Sequence, residues 1–104
     1  MQVTIRREGA ELSLAGWLDA RGAAPARLAL QEAVRRGEGD LVVDIAGVEL
    51  VDATGLGVLV GAHRSAQRSG RVLVLQDPSE RLRRVLAVTR LDRVLAVTRT
   101  PLAV

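Results

Sequence analysis

Two short apolar runs, Leu41-Val42-Val43-Asp44-Ile45 and Val72-Leu73-Val74-Leu75, constrain the fold of this chain more than any other feature. Both are rich in β-branched residues, the pattern of strands buried on both faces in a parallel sheet. Between them lies a segment of helical period. Leu56, Leu59, Val60, His63 and Ala66 fall on one face, and Gly70 is placed to end the helix. The spacing predicts a helix over 54–69 that joins two adjacent strands. Parallel neighbours need a crossover of this kind, because a tight turn can only return the chain antiparallel.

The flanking segments extend this unit. Val3 and Ile5 alternate with Thr4 and Arg6, and a turn follows at Glu8-Gly9-Ala10. Leu12, Leu14 and Leu18 then share one parity, with Ser13, Ala15 and Trp17 on the other, which reads as a β-hairpin leading into a loop at 19–23. Pro25 suits a first helical turn; Ala26, Leu30, Ala33 and Val34 follow at helical spacing, and Gly37 and Gly39 close the helix. Asp77-Pro78-Ser79-Glu80 combines a cap, a first-turn proline and an acid, opening a third helix with Leu82, Val85 and Leu86 inward. The heptad Arg-Val-Leu-Ala-Val-Thr-Arg occurs twice, at 84–90 and 93–99. The first copy is expected as helix tail and the second as a short strand, with tertiary context overriding local propensity. The expectation is an α/β fold with a mixed sheet of about four to five strands, opened by a hairpin, and about three helices. No linker or shift of composition divides the chain, so 1–104 is expected to be a single domain.

Composition removes several function classes. The chain has no cysteine, which excludes disulfides and thiolate metal sites. Its one histidine, His63, has no second histidine to share a metal, so it is expected to be a hydrogen-bonded structural residue. No cofactor or metal is expected. There is no span-length apolar run and no signal-peptide pattern, which points to a cytoplasmic location without membrane insertion. The formal charge is +3 with every one of the fifteen basic residues an arginine. These are scattered among twelve acids and lack interleaved aromatics, which argues against a nucleic-acid partner. No acid–base–nucleophile set is visible. Ser13, Ser65, Ser69 and Ser79 lack the strand–turn–helix context of a nucleophile, so the chain is not expected to be an enzyme.

The candidate site is the polar knot Asp52-Ala53-Thr54-Gly55 at the entry to the second helix. A helix begins with unpaired N–H groups and a positive dipole end, a natural place for an anion or a phosphorylated side chain. Asp52 and Thr54 each read either as a cap or as a switch contact. Gly55 and Gly57 lower helix stability and permit close approach by a partner or a neighbouring strand. Gly61 is assigned to packing. Trp17, the only aromatic residue, reads either as an exposed interface anchor or as a residue packed under a helix. Asp44 is expected to hydrogen-bond backbone N–H groups of the following loop.

Asp52-Ala53-Thr54-Gly55-Leu56-Gly57 resembles the switch motif of STAS domains, the family of bacterial anti-sigma-factor antagonists. The family's usual form is Asp-Ser-Ser/Thr-Gly-Leu-Gly, with the first Ser the phosphoacceptor; here that position is Ala53. Leu14-Ala15-Gly16-Trp17-Leu18-Asp19 resembles the family's Gly-Glu-Leu-Asp segment, with Trp17 where Glu is usual. Leu41 to Val48 resembles its strand and loop Leu-Val-Leu-Asp-Leu-Ser-Gly-Val. Val85 to Val97 resembles its ending, with Arg90 in place of Gly. The resemblance covers residues 10–98 in order. It implies the STAS fold, with the family's final helix short or absent after Thr100. It further implies an anti-sigma-factor antagonist that binds an anti-sigma factor acting as a serine kinase, and so frees a sigma factor. The alternative is a STAS subunit that docks on a transporter ATPase or a regulatory scaffold without phosphorylation. Partner contacts would come from Trp17, Asp19, Asp52, Ala53, Thr54, Gly55, Leu56 and Gly57, with Thr54 the remaining phosphorylation candidate. The oligomeric state is left open.

Overall fold

The computed structural model describes residues 1–100. A five-stranded mixed sheet in the order β1-β2-β3-β4-β5 carries three α-helices. β1 (Gln2–Arg7) and β2 (Glu11–Leu18) form the antiparallel hairpin. β3 (Leu41–Val51), β4 (Leu73–Gln76) and β5 (Ala96–Thr98) continue from β2 in parallel. The helices α1 (Ala23–Arg35), α2 (Ala53–Arg68) and α3 (Glu80–Val88) are the connections that this parallel order requires. The two heptad copies differ in state as expected: the first forms the end of α3, and the second contributes Ala96–Thr98 to the sheet. The expected end of the family fold after Thr100 lies outside the described residues.

The core is aliphatic and one-sided. Leu12, Leu14 and Leu18 of β2, Leu41, Val43 and Ile45 of β3, and Leu73 and Leu75 of β4 form one buried cluster with Leu30, Val34, Val58, Leu59, Leu82 and Leu86 from the helices. β3 and β4 are adjacent, but they are not buried on both faces: Val42, Asp44, Val74 and Gln76 are only half-buried. The continuous apolar run of β3 hides an alternation, because Val42 points to the open face while Val43 fills the core. Asp44 shares that open face. Its carboxylate accepts from the Ala46 N–H at 2.9 Å, as expected, and forms an ion pair with the Arg6 guanidinium at 2.8 Å.

The buried side of α2 is turned by nearly a quarter turn from the expected one. Gly55, Val58, Leu59, Ala62 and Ala66 face the core, while Leu56, Val60 and His63 flank it half-buried. Small residues win the inward positions because α2 also packs against α1. His63 is not hydrogen-bonded as expected; its Nδ1 is buried without a partner among the described residues. The start of α3 also differs. Ser79 is the cap, its hydroxyl accepting from the Leu82 N–H at 3.1 Å, and Pro78 precedes the helix. Asp77 is instead a left-handed residue (φ 58°) whose carboxylate accepts from Thr100.

Arg71 precedes β4. It is 3% exposed, and among the described residues its guanidinium makes no ion pair. It donates to the carbonyls of Gly39 at 2.9 Å, Ala33 at 2.8 Å, Val34 at 3.0 Å, and Gly9. The positive charge therefore sits at the negative end of α1, where it supplements the Arg36 N–H on the Ala33 carbonyl and supplies a donor to the Val34 carbonyl. One side chain ties the β1–β2 turn, the end of α1 and the entry to β4 together.

Candidate functional site

β2 and β3 are parallel neighbours that end side by side, with Leu18 opposite Val51. The segments that leave these ends, Asp19–Gly22 and Asp52 onwards, therefore emerge at one edge of the sheet. In open α/β sheets this carboxyl edge is where ligands and partners are met. The backbone holds the two segments together: the Asp52 N–H donates to the Leu18 carbonyl at 3.4 Å, and the first turn of α2 abuts Leu18.

Asp52 is the cap of α2. Its backbone is extended (φ −106°, ψ −173°), and its Oδ1 accepts from the Gly55 N–H at 2.9 Å. A carboxylate at this place both fills an unpaired donor and complements the helix dipole. The cap role that Thr54 was expected to share is thereby taken, and Thr54 lies exposed in the first turn of α2 next to exposed Ala53. Asp19 closes a turn on the other segment. Its Oδ1 accepts from the Arg21 and Gly22 N–H groups at 3.0 and 3.1 Å ahead of α1, whose own cap, Gly22, makes no side-chain capping hydrogen bond. Asp52 thus has the capping role set beside the functional one in the sequence.

The two glycines of the motif differ. Gly55 is buried against the Leu18 backbone, whereas Gly57 is exposed and nothing stands within 4 Å of where its Cβ would lie. Gly61 is equally open, so its assignment to packing is corrected. Leu56 is half-buried against the core edge.

Trp17 is 56% exposed and does not pack beneath a helix. It stands opposite Leu50 in the β2–β3 register, and Leu50 is itself 39% exposed. An open cavity of about 370 Å³ borders Trp17, with Asp19, Arg21, Gly22 and Glu49 on its walls. Leu50 was not legible as a surface residue, because a register shift between Gly16 and Trp17 breaks the simple alternation that sequence parity assumes. Among the described residues no group of His, Cys, Asp or Glu could hold a metal. No helix is long and apolar enough to cross a membrane. The arrangement offers an exposed hydroxyl, a helix-capping and a turn-closing carboxylate and an exposed aromatic, which suits recognition by another macromolecule.

Comparison with known proteins agrees with this geometry. Residues 1–98 match the family described as Mlab, STAS domain. An anti-sigma-B factor antagonist of Bacillus subtilis (strain 168) is 35% identical over 81 residues, covering 78% of this chain and 73% of the relative. The structure of an anti-sigma-factor antagonist (STAS) domain protein from Planctomyces limnophilus superposes with a TM-score of 0.80 at 18% identity, covering 95% of this chain and 91% of that one. A sulfate transporter family protein from Wolinella succinogenes shares the fold with a TM-score of 0.75 at 20% identity, covering 91% and 80%.

Proposed function

The chain belongs to the STAS domain family of anti-sigma-factor antagonists, and from that premise we propose that it binds an anti-sigma factor acting as a serine kinase and so releases a sigma factor. The observation that carries this reading is the side-by-side ending of Leu18 and Val51. It brings Asp19 and Asp52 to one edge of the sheet, and the reading assigns partner contacts there to Trp17, Asp19 and the start of α2 (Asp52, Ala53, Thr54, Gly55, Leu56 and Gly57). The protein acts there by binding, as one cytoplasmic domain, and carries out no chemistry of its own. Trp17 is the anchor, with Leu50 beside it extending the apolar contact.

A phosphorylated hydroxyl at the exposed start of α2, at position 53 or 54, would act as a switch on such a complex. A phosphate adds close to two negative charges. At about 6 Å from one partner carboxylate and an effective dielectric near 20, each charge costs about 3 kcal/mol, or roughly two decades of affinity. In this chain Ala53 offers no hydroxyl. Thr54 is the motif's remaining acceptor, and its exposed place leaves it open to a kinase.

One observation favours a second reading. The same surface without a hydroxyl at position 53 suits a STAS subunit that docks permanently on a transporter ATPase or a regulatory scaffold. Affinity purification from the native cytoplasm, read by mass spectrometry, separates the two. An anti-sigma factor kinase that binds the wild type and binds Trp17→Ala weaker by about 2 kcal/mol supports the first reading. Recovery of a transporter ATPase replaces it with the second. Binding of an anti-sigma factor unaffected by changes at Trp17 and Asp52 overturns the assigned surface.

A further inference from the structure

We propose that the groove between α1 and α2 is a docking surface for an acidic helical segment of a partner protein. The proposal deepens the antagonist reading and rests on it for the identity of the partner, but its geometry is independent of the Ala53–Thr54 switch.

The groove encloses about 240 Å³ and is lined by Arg27 and Gln31 of α1 and by Gly57, Gly61, Ser65 and Arg68 of α2. At 100° per residue, Gly57, Gly61, Arg64 and Arg68 share one face of α2, and all four are exposed. Along α2 the groove thus passes from glycine backbone at Gly57 and Gly61 to the Arg68 guanidinium, over an apolar base that includes Val58 and Ala62, with Arg64 on the same helix face beside it. A Cβ at Gly57 or Gly61 would meet nothing within 4 Å, so the packing of this chain requires neither glycine. What their absent side chains provide is depth for an incoming backbone.

Charge selects the occupant. α2 carries no acid in Ala-Thr-Gly-Leu-Gly-Val-Leu-Val-Gly-Ala-His-Arg-Ser-Ala-Gln-Arg. Among the described residues Arg27, Arg64 and Arg68 make no ion pair, whereas Arg6, Arg7, Arg35 and Arg36 all do. Arg64 and Arg68 stand one turn apart, the spacing at which carboxylates recur along a helix. The other end of α2 presents Asp52, with Asp19 beside it, so the surface reverses sign over a helix length of about 24 Å. That polarity fixes the direction of the bound helix, its acidic end lying over Arg64 and Arg68. A second copy of this chain would bring its own arginines against these. Nucleic acid finds no aromatic side chain in the groove on which to stack.

The test uses two probes on the full chain. The first is a stapled helical peptide with Glu at i, i+4 and i+7, compared with its Lys counterpart and with duplex DNA, and read by amide chemical shifts. Shifts confined to Gly57, Gly61, Arg64 and Arg68 with the Glu peptide alone are expected. Absence of these shifts, or equal shifts with DNA, overturns the proposal. The second probe is the anti-sigma factor recovered from the native cytoplasm. Arg64→Glu combined with Arg68→Glu is expected to weaken its binding about 30-fold and to reduce the salt dependence. Arg84→Glu combined with Arg93→Glu changes the net charge equally and should alter binding less than about threefold. Gly61→Leu should weaken binding about tenfold while raising the unfolding temperature, since a helical glycine is replaced by a better helix former. Equal losses in the groove and control pairs would show a general charge effect and overturn the groove. Failure of the wild type to bind any anti-sigma factor would instead overturn the antagonist reading and leave the peptide result to decide the groove.

Discussion

The carbonyl oxygen of Leu18 stands where a side chain on Gly55 would begin: a Cβ there would lie 1.9 Å from it. The end of β2 and the first turn of α2 are thus in backbone contact, which fixes the distance between the two halves of the proposed interface. Gly55→Ala must push α2 away from β2. It is expected to destabilise the fold by about 2–3 kcal/mol, the cost of overpacking a tight contact. Gly57→Ala, two residues on in open space, is expected to stabilise it by about 1 kcal/mol. Denaturant unfolding of both variants checks the pair. Similar effects at the two sites would show that the contact yields easily.

Arg71 yields a second prediction. Its guanidinium donates to carbonyls from three segments. Arg71→Met keeps the apolar stem but leaves those carbonyls without their donor, at an expected cost of about 3 kcal/mol. Arg71→Lys should recover little of this, because an ammonium cannot span the fork of acceptors. Full stability of Arg71→Lys in thermal unfolding would show that charge alone suffices at the end of α1.

These residues also mark where the sequence was and was not legible. The hairpin and the crossover helix follow from periodicities that water imposes directly, and the helix between β3 and β4 makes them neighbours, so β2, β3, β4 and α2 could be read. Arg71 could not, because a buried cation is recognisable only once distant carbonyls have converged on it. The inward side of α2 was misjudged because the largest apolar residues were assigned to the core. The close approach of α1 and β2 instead selects Gly55, Ala62 and Ala66 for that side. At the site, the motif fixed the positions, but whether Asp52 or Thr54 capped the helix depended on backbone angles that composition does not reveal.

A third prediction concerns Arg90, which takes the place of a glycine in the family pattern. It follows the end of α3 in the left-handed region, with φ 61° and ψ 16°. That conformation is unfavourable for a residue with a Cβ, and glycine is the usual solution after a helix. Arg90→Gly is expected to stabilise the domain by about 0.5–1 kcal/mol, the conformational gain exceeding the entropy that glycine adds to the unfolded chain. A fall in thermal stability would show that the Arg90 side chain contributes more than its backbone strain costs.

Two surface carboxylates contribute to the acid limb of stability. Hydrogen bonds from Arg36, then from Arg35, hold Glu32 below its ordinary value of 4.5. The Thr100 hydroxyl, then its backbone N–H, hold Asp77 below 3.8. A carboxylate whose folded pKa is depressed contributes stability that is present above its unfolded value and is lost as pH falls through the folded one. Unfolding midpoints should therefore be insensitive to these groups near neutrality and decline below about pH 4.5, first through Glu32. Glu32→Gln should flatten the upper part of that decline. An unchanged acid limb in this variant would assign the decline to other groups. Both carboxylates are solvent-exposed, so the effect is a modest slope and not a collapse.

The last prediction returns to Ala53, the first residue of α2, exposed beside the capping carboxylate of Asp52. Because Asp52 already caps the helix, a hydroxyl added at position 53 would not be needed for capping and would face solvent. Ala53→Ser is therefore expected to create an efficient phosphoacceptor for the cognate anti-sigma factor kinase. The wild type is expected to gain no phosphate, or to gain it slowly at Thr54. Incubation with kinase and ATP, followed by intact-mass measurement, reads both. If no phosphate is gained, the wild type would stay competent to bind, and its activity would be set by its amount. Rapid stoichiometric phosphorylation of the wild type would sink that conclusion, and mapping of the phosphate to Thr54 would place the switch one residue later. A kinase that binds Ala53→Ser tightly yet leaves it unmodified would show that the loop no longer presents this position to the enzyme's phosphate. The permanently docked reading would then be the better account of the surface.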